Sequence, residues 1–325
     1  MTKRVTGGVV VLVGVVLIVV AILKNLFAVG PAFEQMIDDF RPWLADEAIA
    51  SLRADLGTLG GAVEEVQTSM VPALAGQLGM TPEEFGTVMG EQFPAVTLGM
   101  ATVPEAAASF TGIIDLLEQQ QSNFFSADAI PTTSLPATTV PWGILAAGVL
   151  AIVVGGLMLL RSGRLAAVLA VLLGALLVIG PFVLSLPGKS ADADDLNAAL
   201  KPVYTEETIG GASQAVGIIS AMGTEMQTAM LPGLAQMLGM TPEDTQAFIG
   251  ANFPATAAAL QAMPGAIERF TGVVGAFSDN LDNYATLKPV AFVPIIWTVI
   301  IGGVVVLVAG LVLLLAGGAR RDSMA

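Results

Sequence analysis

Four apolar runs decide what this chain can fold into. Residues 8–30, 142–160, 165–186 and 293–317 are each almost continuously apolar, and about 20 such residues let an α-helix cross the hydrocarbon core of a bilayer. Lipid offers no partner to a free backbone amide, so a segment of this kind spans as a helix. The remaining composition agrees. With 54% hydrophobic and only 12% charged residues, the chain is too poor in charge to coat a soluble domain of this size. The expected fold class is an all-α integral membrane protein with four transmembrane (TM) helices. The first run follows basic residues, as a signal peptide would. Its apolar stretch is longer than a signal peptide's, and Ala28-Val29-Gly30 is a poor cleavage site, so it reads as an uncleaved signal-anchor.

Charge supplies the direction. Lys3 and Arg4 precede the first run, Arg161 and Arg164 lie in the short loop 161–164, and Arg320 and Arg321 follow the last run. Of the 27 acidic residues, 26 lie in the long segments 31–141 and 187–292. Basic residues stay on the cytoplasmic side, so the tails 1–7 and 318–325 and the central loop are expected there. Both long segments are then extracytoplasmic ectodomains, and the location is the cell membrane.

Those two segments repeat one another. Gln67-Thr68-Ser69-Met70-Val71-Pro72 returns as Gln227-Thr228-Ala229-Met230-Leu231-Pro232, and Leu78-Gly79-Met80-Thr81-Pro82-Glu83 returns unchanged from Leu238. Phe93-Pro94-Ala95 returns at Phe253, and Phe110-Thr111-Gly112 at Phe270, always at an offset of 160 residues. A single offset over so many pairs is the mark of an internal repeat. Each repeat holds an even number of spans, so both insert the same way round. The expectation is a tandem, parallel duplication, pseudo-two-fold about the membrane normal.

Both ectodomains read as helical bundles, rich in Ala, Leu, Met, Glu and Gln and poor in β-branched alternation. Thr81-Pro82-Glu83-Glu84 has the form of a capped helix start, and Thr241-Pro242-Glu243-Asp244 repeats it with Asp in the last place. Upstream, one long helix over 46–78 is expected, interrupted near Gly60-Gly61 and again near Pro72. Downstream, Phe93-Pro94 should end or kink the chain. A further amphipathic helix is expected over 104–125, with Phe110, Ile113, Ile114 and Leu117 on one face. Its counterpart covers 264–284, using Ile267, Phe270, Val274 and Phe277. The Pro/Ser/Thr-rich stretch 127–141 is expected to be an extended, flexible linker.

Chemistry-bearing candidates are few. There is no cysteine and no histidine, which excludes disulfides, Cys/His zinc sites and His-based nucleophilic triads. Lys24 and Asn25 form the one strongly polar pair inside an apolar run. They are a candidate intramembrane polar site, against which stands a lysine reaching for the headgroups from the end of its span. Ala147, Ala151 and Gly155, and Ala166, Ala170 and Gly174, recur every four residues. That spacing suits close packing in a central hairpin or against another subunit. Asp38-Asp39 and Asp192, Asp194 and Asp195 have no calcium-loop pattern, and a solvated acidic face is the simpler reading. Frequent methionines (Met70, Met80, Met89, Met100, Met222, Met226, Met230, Met237, Met240) suit either an ordinary core or an adaptable groove for lipid or a helix.

No catalytic, metal or cofactor constellation emerges, and the chain carries a net charge of -14 with no basic patch for nucleic acid. The plan of two spans around a helical ectodomain, repeated, resembles in topology alone prominin-like membrane organisers and chemoreceptor sensor domains. The expected function is a non-enzymatic scaffold or accessory subunit of a bacterial envelope. Its partners would be membrane lipids and an envelope protein or a second copy of the chain. The alternative is a channel or transporter component with a path along the pseudo-two-fold axis.

Overall fold

The computed structural model describes residues 2–160 and 164–322, with side chains over 4–160 and 164–316. Among these residues the protein is helical and has no β-strand. In chain order the helices are α1 (Thr2–Leu23), α2 (Leu26–Phe40), α3 (Asp46–Glu65), α4 (Val71–Leu78), α5 (Pro82–Gln92), α6 (Pro94–Asp128), α7 (Thr139–Leu160) and α8 (Arg164–Val183). They continue with α9 (Leu186–Leu200), α10 (Glu206–Glu225), α11 (Leu231–Leu238), α12 (Pro242–Asn252), α13 (Pro254–Asp279), α14 (Leu281–Leu287) and α15 (Phe292–Asp322). Two compact units result. The first comprises Met1–Asp39, Gln120–Lys201 and Asn280–Ala325, the second Phe40–Gln119 and Pro202–Asp279.

In the first unit, four helices are long and apolar enough to cross a membrane: Arg4–Leu23, Thr139–Leu160, Arg164–Val183 and Phe292–Ala316. Leu12, Leu172, Leu176, Val153 and Val308 lie exposed along them, an outer surface suited to lipid rather than water. α1 packs on α7 and α8 on α15, with further contact of α1 on α15 and α7 on α8. Glycines permit the approach. A Cβ added at Gly14 would lie 2.5 Å from the Gly148 carbonyl oxygen, and one at Gly155 would lie 2.8 Å from that of Gly7. In the other pair, Gly174 abuts the Leu307 backbone, and a Cβ at Gly310 would lie 2.9 Å from the Ala167 carbonyl oxygen. Between apolar helices in lipid there is little hydrophobic drive, so close packing of small residues holds them.

The apolar runs 8–30 and 165–186 do not continue as single helices. α1 ends at Leu23, and Asn25 takes a left-handed conformation (φ 51°) before α2 begins; Ser185 does the same (φ 54°) between α8 and α9. Asparagine tolerates this region better than most residues. The Asn25 carbonyl accepts from the amides of Ala28 (2.9 Å) and Val29 (3.0 Å), which starts the next helix.

Beyond the breaks, acidic residues of α2 and α9 act as ties. The Asp194 carboxylate accepts from the amides of Phe292 (2.7 Å) and Val293 (3.0 Å), satisfying donors that the first turn of α15 leaves free. Asp192 accepts from the Ser126 hydroxyl, and Asp39 accepts from the wholly buried Asn280 side chain at 2.9 Å. The stretch 127–141 is not the extended linker expected from composition. α6 runs on to Asp128 and α7 begins at Thr139. Between them, Lys189 Nζ donates to the carbonyls of Ala129 (2.6 Å) and Pro131 (3.2 Å). A long-range lysine supplies the order that local sequence could not.

The second unit is a helical bundle in which α3 and α10 pack on α13, and α4 touches α11. The capped start is as expected. Thr81 Oγ1 accepts from Glu84 N (3.2 Å), and Glu84 Oε2 accepts from Thr81 N (2.8 Å). Thr241 Oγ1 accepts from Asp244 N (3.1 Å) and donates to Asp244 Oδ2 (2.8 Å). Just upstream, Gly79 (φ 69°) and Gly239 (φ 67°) close α4 and α11 in a left-handed conformation that favours glycine.

The interruption expected at Gly60-Gly61 is absent, because α3 runs through it. The one expected near Pro72 is present, as a π-helical turn over Val66–Met70, with a second at Met226–Met230. Val71 N donates five residues back to Val66 O, and Leu231 N does so to Met226 O. Pro72 and Pro232 follow directly. A proline has no amide proton and clashes with the carbonyl four residues back, and a widened turn absorbs that conflict.

α6 begins at Pro94, not Pro104, and α13 at Pro254, not Pro264. The break falls at Phe93 (φ −133°, ψ 63°) and Phe253 (φ −135°, ψ 67°), since a following proline pushes its predecessor out of the helical region. The counterpart helix ends at Asp279, where Asn280 separates α13 from α14. Phe110, Ile113, Ile114 and Leu117 are buried, as are Phe270, Val274 and Phe277. Phe110 and Phe270 meet at 4.8 Å between ring centroids. Arg269 donates from Nε (2.6 Å) and Nη2 (2.8 Å) to the buried Asp55 carboxylate, a bidentate pair joining α13 to α3.

Candidate functional site

The two π turns create the site. Widening a helix re-aims the side chains on that turn, and here Met70 of the first turn and Met226 and Met230 of the second are buried. With Val66 and Leu74 of one stretch and Leu234 of the other, they wall a cavity of about 160 Å³. Phe85, Gly86 and Met89 of α5 and Val96, Thr97 and Met100 of α6 complete one side. Five of the lining residues are methionines, whose flexible thioethers let an apolar surface reshape around a guest. A neighbouring space of about 30 Å³ shares Val66, Met100, Met226 and Thr256 and adds Met222 and Met263. An apolar cavity of about 150 Å³ is large enough to stay dry and accept a benzene-sized guest.

Two carboxylates bind directly to its wall. Glu65 Oε2 accepts from the Thr256 amide (2.7 Å) and hydroxyl (2.9 Å). Glu225 Oε2 accepts from the Val96 amide at 2.8 Å. Each thus caps the first turn of a helix far away in sequence, α13 and α6, where free amides and the helix dipole favour negative charge. Burial pushes the Glu65 carboxyl up, but the hydrogen bonds from Thr256 and Ala255 outweigh it and hold it below its usual range.

The residues singled out from sequence fall elsewhere. Lys24 and Asn25 are exposed at the break after α1. Ala151, Gly155, Ala166, Ala170 and Gly174 are buried and Ala147 is half-buried. Gly155 and Gly174 make the backbone approaches, but toward α1 and α15 rather than within an α7–α8 hairpin. The loop residues 161–163 lie outside the described residues, as do the side chains of Lys3, Arg320 and Arg321. Among the described residues, no group of three acidic side chains is placed to hold a metal ion. Asp39, Asp192 and Asp194 are engaged in ties between helices.

No family model, curated protein or solved structure matches the chain. Its function must be read from its own geometry. Sequence reasoning flagged Met70, Met89, Met100, Met226 and Met230 but missed Glu65, Glu225, Val96 and Thr256. A signal was present: the offset of 160 that pairs Met70 with Met230 also pairs Glu65 with Glu225 and Val96 with Thr256.

A second, smaller cavity of about 60 Å³ lies in the first unit, lined by Leu26, Gly30, Leu186, Ser190, Phe292 and others. Its one buried hydroxyl, Ser190 Oγ, already donates to Pro187 O at 3.0 Å.

Proposed function

We propose that the chain is a non-enzymatic, membrane-anchored binding protein: a scaffold or accessory subunit whose extracytoplasmic helical bundle receives an apolar group from a lipid or protein partner. The observation that carries this reading is the methionine-lined cavity. At about 160 Å³ it exceeds the apolar cavities of about 60 and 30 Å³, and the nearby charged groups are engaged in holding helices. Tandem, parallel duplication of a span–bundle–span module is part of the proposal. It is supported by features recurring at the same offset of 160: the left-handed residues Asn25 and Ser185, the two π turns, and the left-handed glycines 79 and 239. The reciprocal caps from Glu65 and Glu225, and the Phe110–Phe270 contact, are what a pseudo-two-fold pairing of the two repeats would produce. A transport path has less behind it, because the four spans contain no Asp or Glu.

Photo-activatable methionine tests the reading in native membranes. Ultraviolet light should fix a lipid or protein adduct to peptides containing Met70, Met89 or Met230. If those peptides yield only crosslinks within the chain, the binding reading is lost.

A further inference from the structure

The cavity's walls and its charge together narrow what it takes. We infer that it holds the aliphatic chain of a cationic amphiphile, with an ammonium head group placed against Glu65 and Glu225. This rests on the binding reading above and names the ligand class for the same site.

The chain half of the inference comes from size and lining. About 160 Å³ admits several methylene groups but not the side of a helix, so a peptide partner does not fit inside. Apart from Thr97 and Thr256 the lining side chains are apolar, and the Thr256 hydroxyl is spent on Glu65. A guest with several polar groups would lose most of its hydrogen bonds on entry, because among the lining side chains only the Thr97 hydroxyl remains to replace them.

The head-group half comes from charge. Glu65 and Glu225 are each bonded to a residue of the wall, Thr256 and Val96. No basic residue lines the cavity. The second unit as a whole carries 18 acidic residues against three basic ones, Arg41, Arg53 and Arg269. Arg53 is paired with Asp115 and Glu118, and Arg269 with Asp55. A carboxylate, sulfate or phosphate head would find no cation to receive it and a repulsive field around it. An ammonium finds the opposite.

Gly86 gives a clean block. It lines the cavity, and a Cβ there would meet open space. Gly86→Leu should add bulk to the cavity wall while improving the propensity of α5, so the fold is retained. Glu65→Gln with Glu225→Gln keeps an oxygen acceptor for each capped amide and removes both charges.

The experiment uses the full chain in zwitterionic lipid nanodiscs, with the methionine methyl groups labelled with carbon-13 and observed by NMR. The probes are octyltrimethylammonium, octanol and octyl sulfate. Methyl signals of Met70, Met89, Met100, Met226 and Met230 should shift, and the ammonium probe should act at about tenfold lower concentration than the sulfate, the order expected of a unit charge near two partly screened carboxylates. Gly86→Leu should weaken all three probes, and the double glutamine variant should remove only the preference for ammonium. Equal affinity for sulfate and ammonium overturns the head-group assignment, while saturable, Gly86→Leu-sensitive shifts keep the binding reading intact. Shifts spread over all methionines, or unchanged by Gly86→Leu, overturn the cavity as the site. The photo-methionine adducts then decide the broader reading separately.

Discussion

At the scale of single residues, Glu65 shows how one side chain joins stability to pH. Its carboxylate accepts from the Thr256 amide and hydroxyl and from Ala255, and is held below its usual value of 4.5. A depressed carboxyl stabilises the fold when ionised. That contribution is complete above the unfolded value and is lost as pH falls from about 4.5 through the lower folded value. Glu65→Gln keeps an acceptor for the Thr256 amide but removes the negative charge at the start of α13. It should therefore lower stability at pH 7 by about 0.5 kcal/mol, the size of a charge at a helix N-terminus, and should lose less than the wild type on acidification. Thermal unfolding followed by circular dichroism at pH 7 and pH 4 checks this. Parallel pH dependence in the two proteins would mean that Glu65 titrates normally and the cap contributes nothing. Asp55 is the contrasting case, a buried carboxylate with a bidentate arginine as its partner. Neither partnership was legible in sequence, because Glu65 lies 191 residues from Thr256 and Asp55 lies 214 from Arg269. Local pattern carries no information over that distance.

At the scale of elements, legibility follows how local the determinant is. Helix starts at Thr81 and Thr241 could be read because cap, proline and acid sit within four residues. The buried faces of α6 and α13 could be read from their period. The break at Ser185 falls one residue before its apolar run ends. That at Asn25 could not be read, since apolar residues continue past it and hydropathy records length rather than backbone conformation. Nor could the π turns. Pro72 and Pro232 signalled a disturbance, but a kink, a break and a widened turn all satisfy a missing amide. Of the small residues noticed every four positions in the spans, Gly155 and Gly174 make backbone approaches, and Gly7, Gly14, Gly148, Gly303 and Gly310, outside that pattern, make others. Gly14→Ala should separate α1 from α7, because its Cβ would meet the Gly148 carbonyl at 2.5 Å, while a Cβ at Gly8 meets nothing. Overpacking of this kind costs about 1–3 kcal/mol, so Gly14→Ala should lower the melting temperature in mild detergent and Gly8→Ala should not. Equal melting temperatures would show that α1 and α7 are not held by this approach.

At the scale of the whole molecule, the proposed duplication and the proposed topology stand or fall together. Under the proposed duplication, an even number of spans in each repeat would bring both long segments out on one side, and Lys3, Arg4, Arg161, Arg164, Arg320 and Arg321 would make that side the extracytoplasmic one. A chain without cysteine lets each position be tested with a single introduced thiol. Ser134 lies exposed between α6 and α7, Ser278 lies exposed near the end of α13, and Ser162 falls in the short central loop. In intact cells, a membrane-impermeant maleimide should label Ser134→Cys and Ser278→Cys. Ser162→Cys should react only after the membrane is opened. Labelling of Ser134→Cys and Ser278→Cys from opposite sides would mean that the two repeats insert in opposite senses. The parallel duplication would then be lost even though the offset of 160 remains in the sequence. If all three thiols label from outside, the charge reading itself fails, and α7 and α8 do not both cross the bilayer.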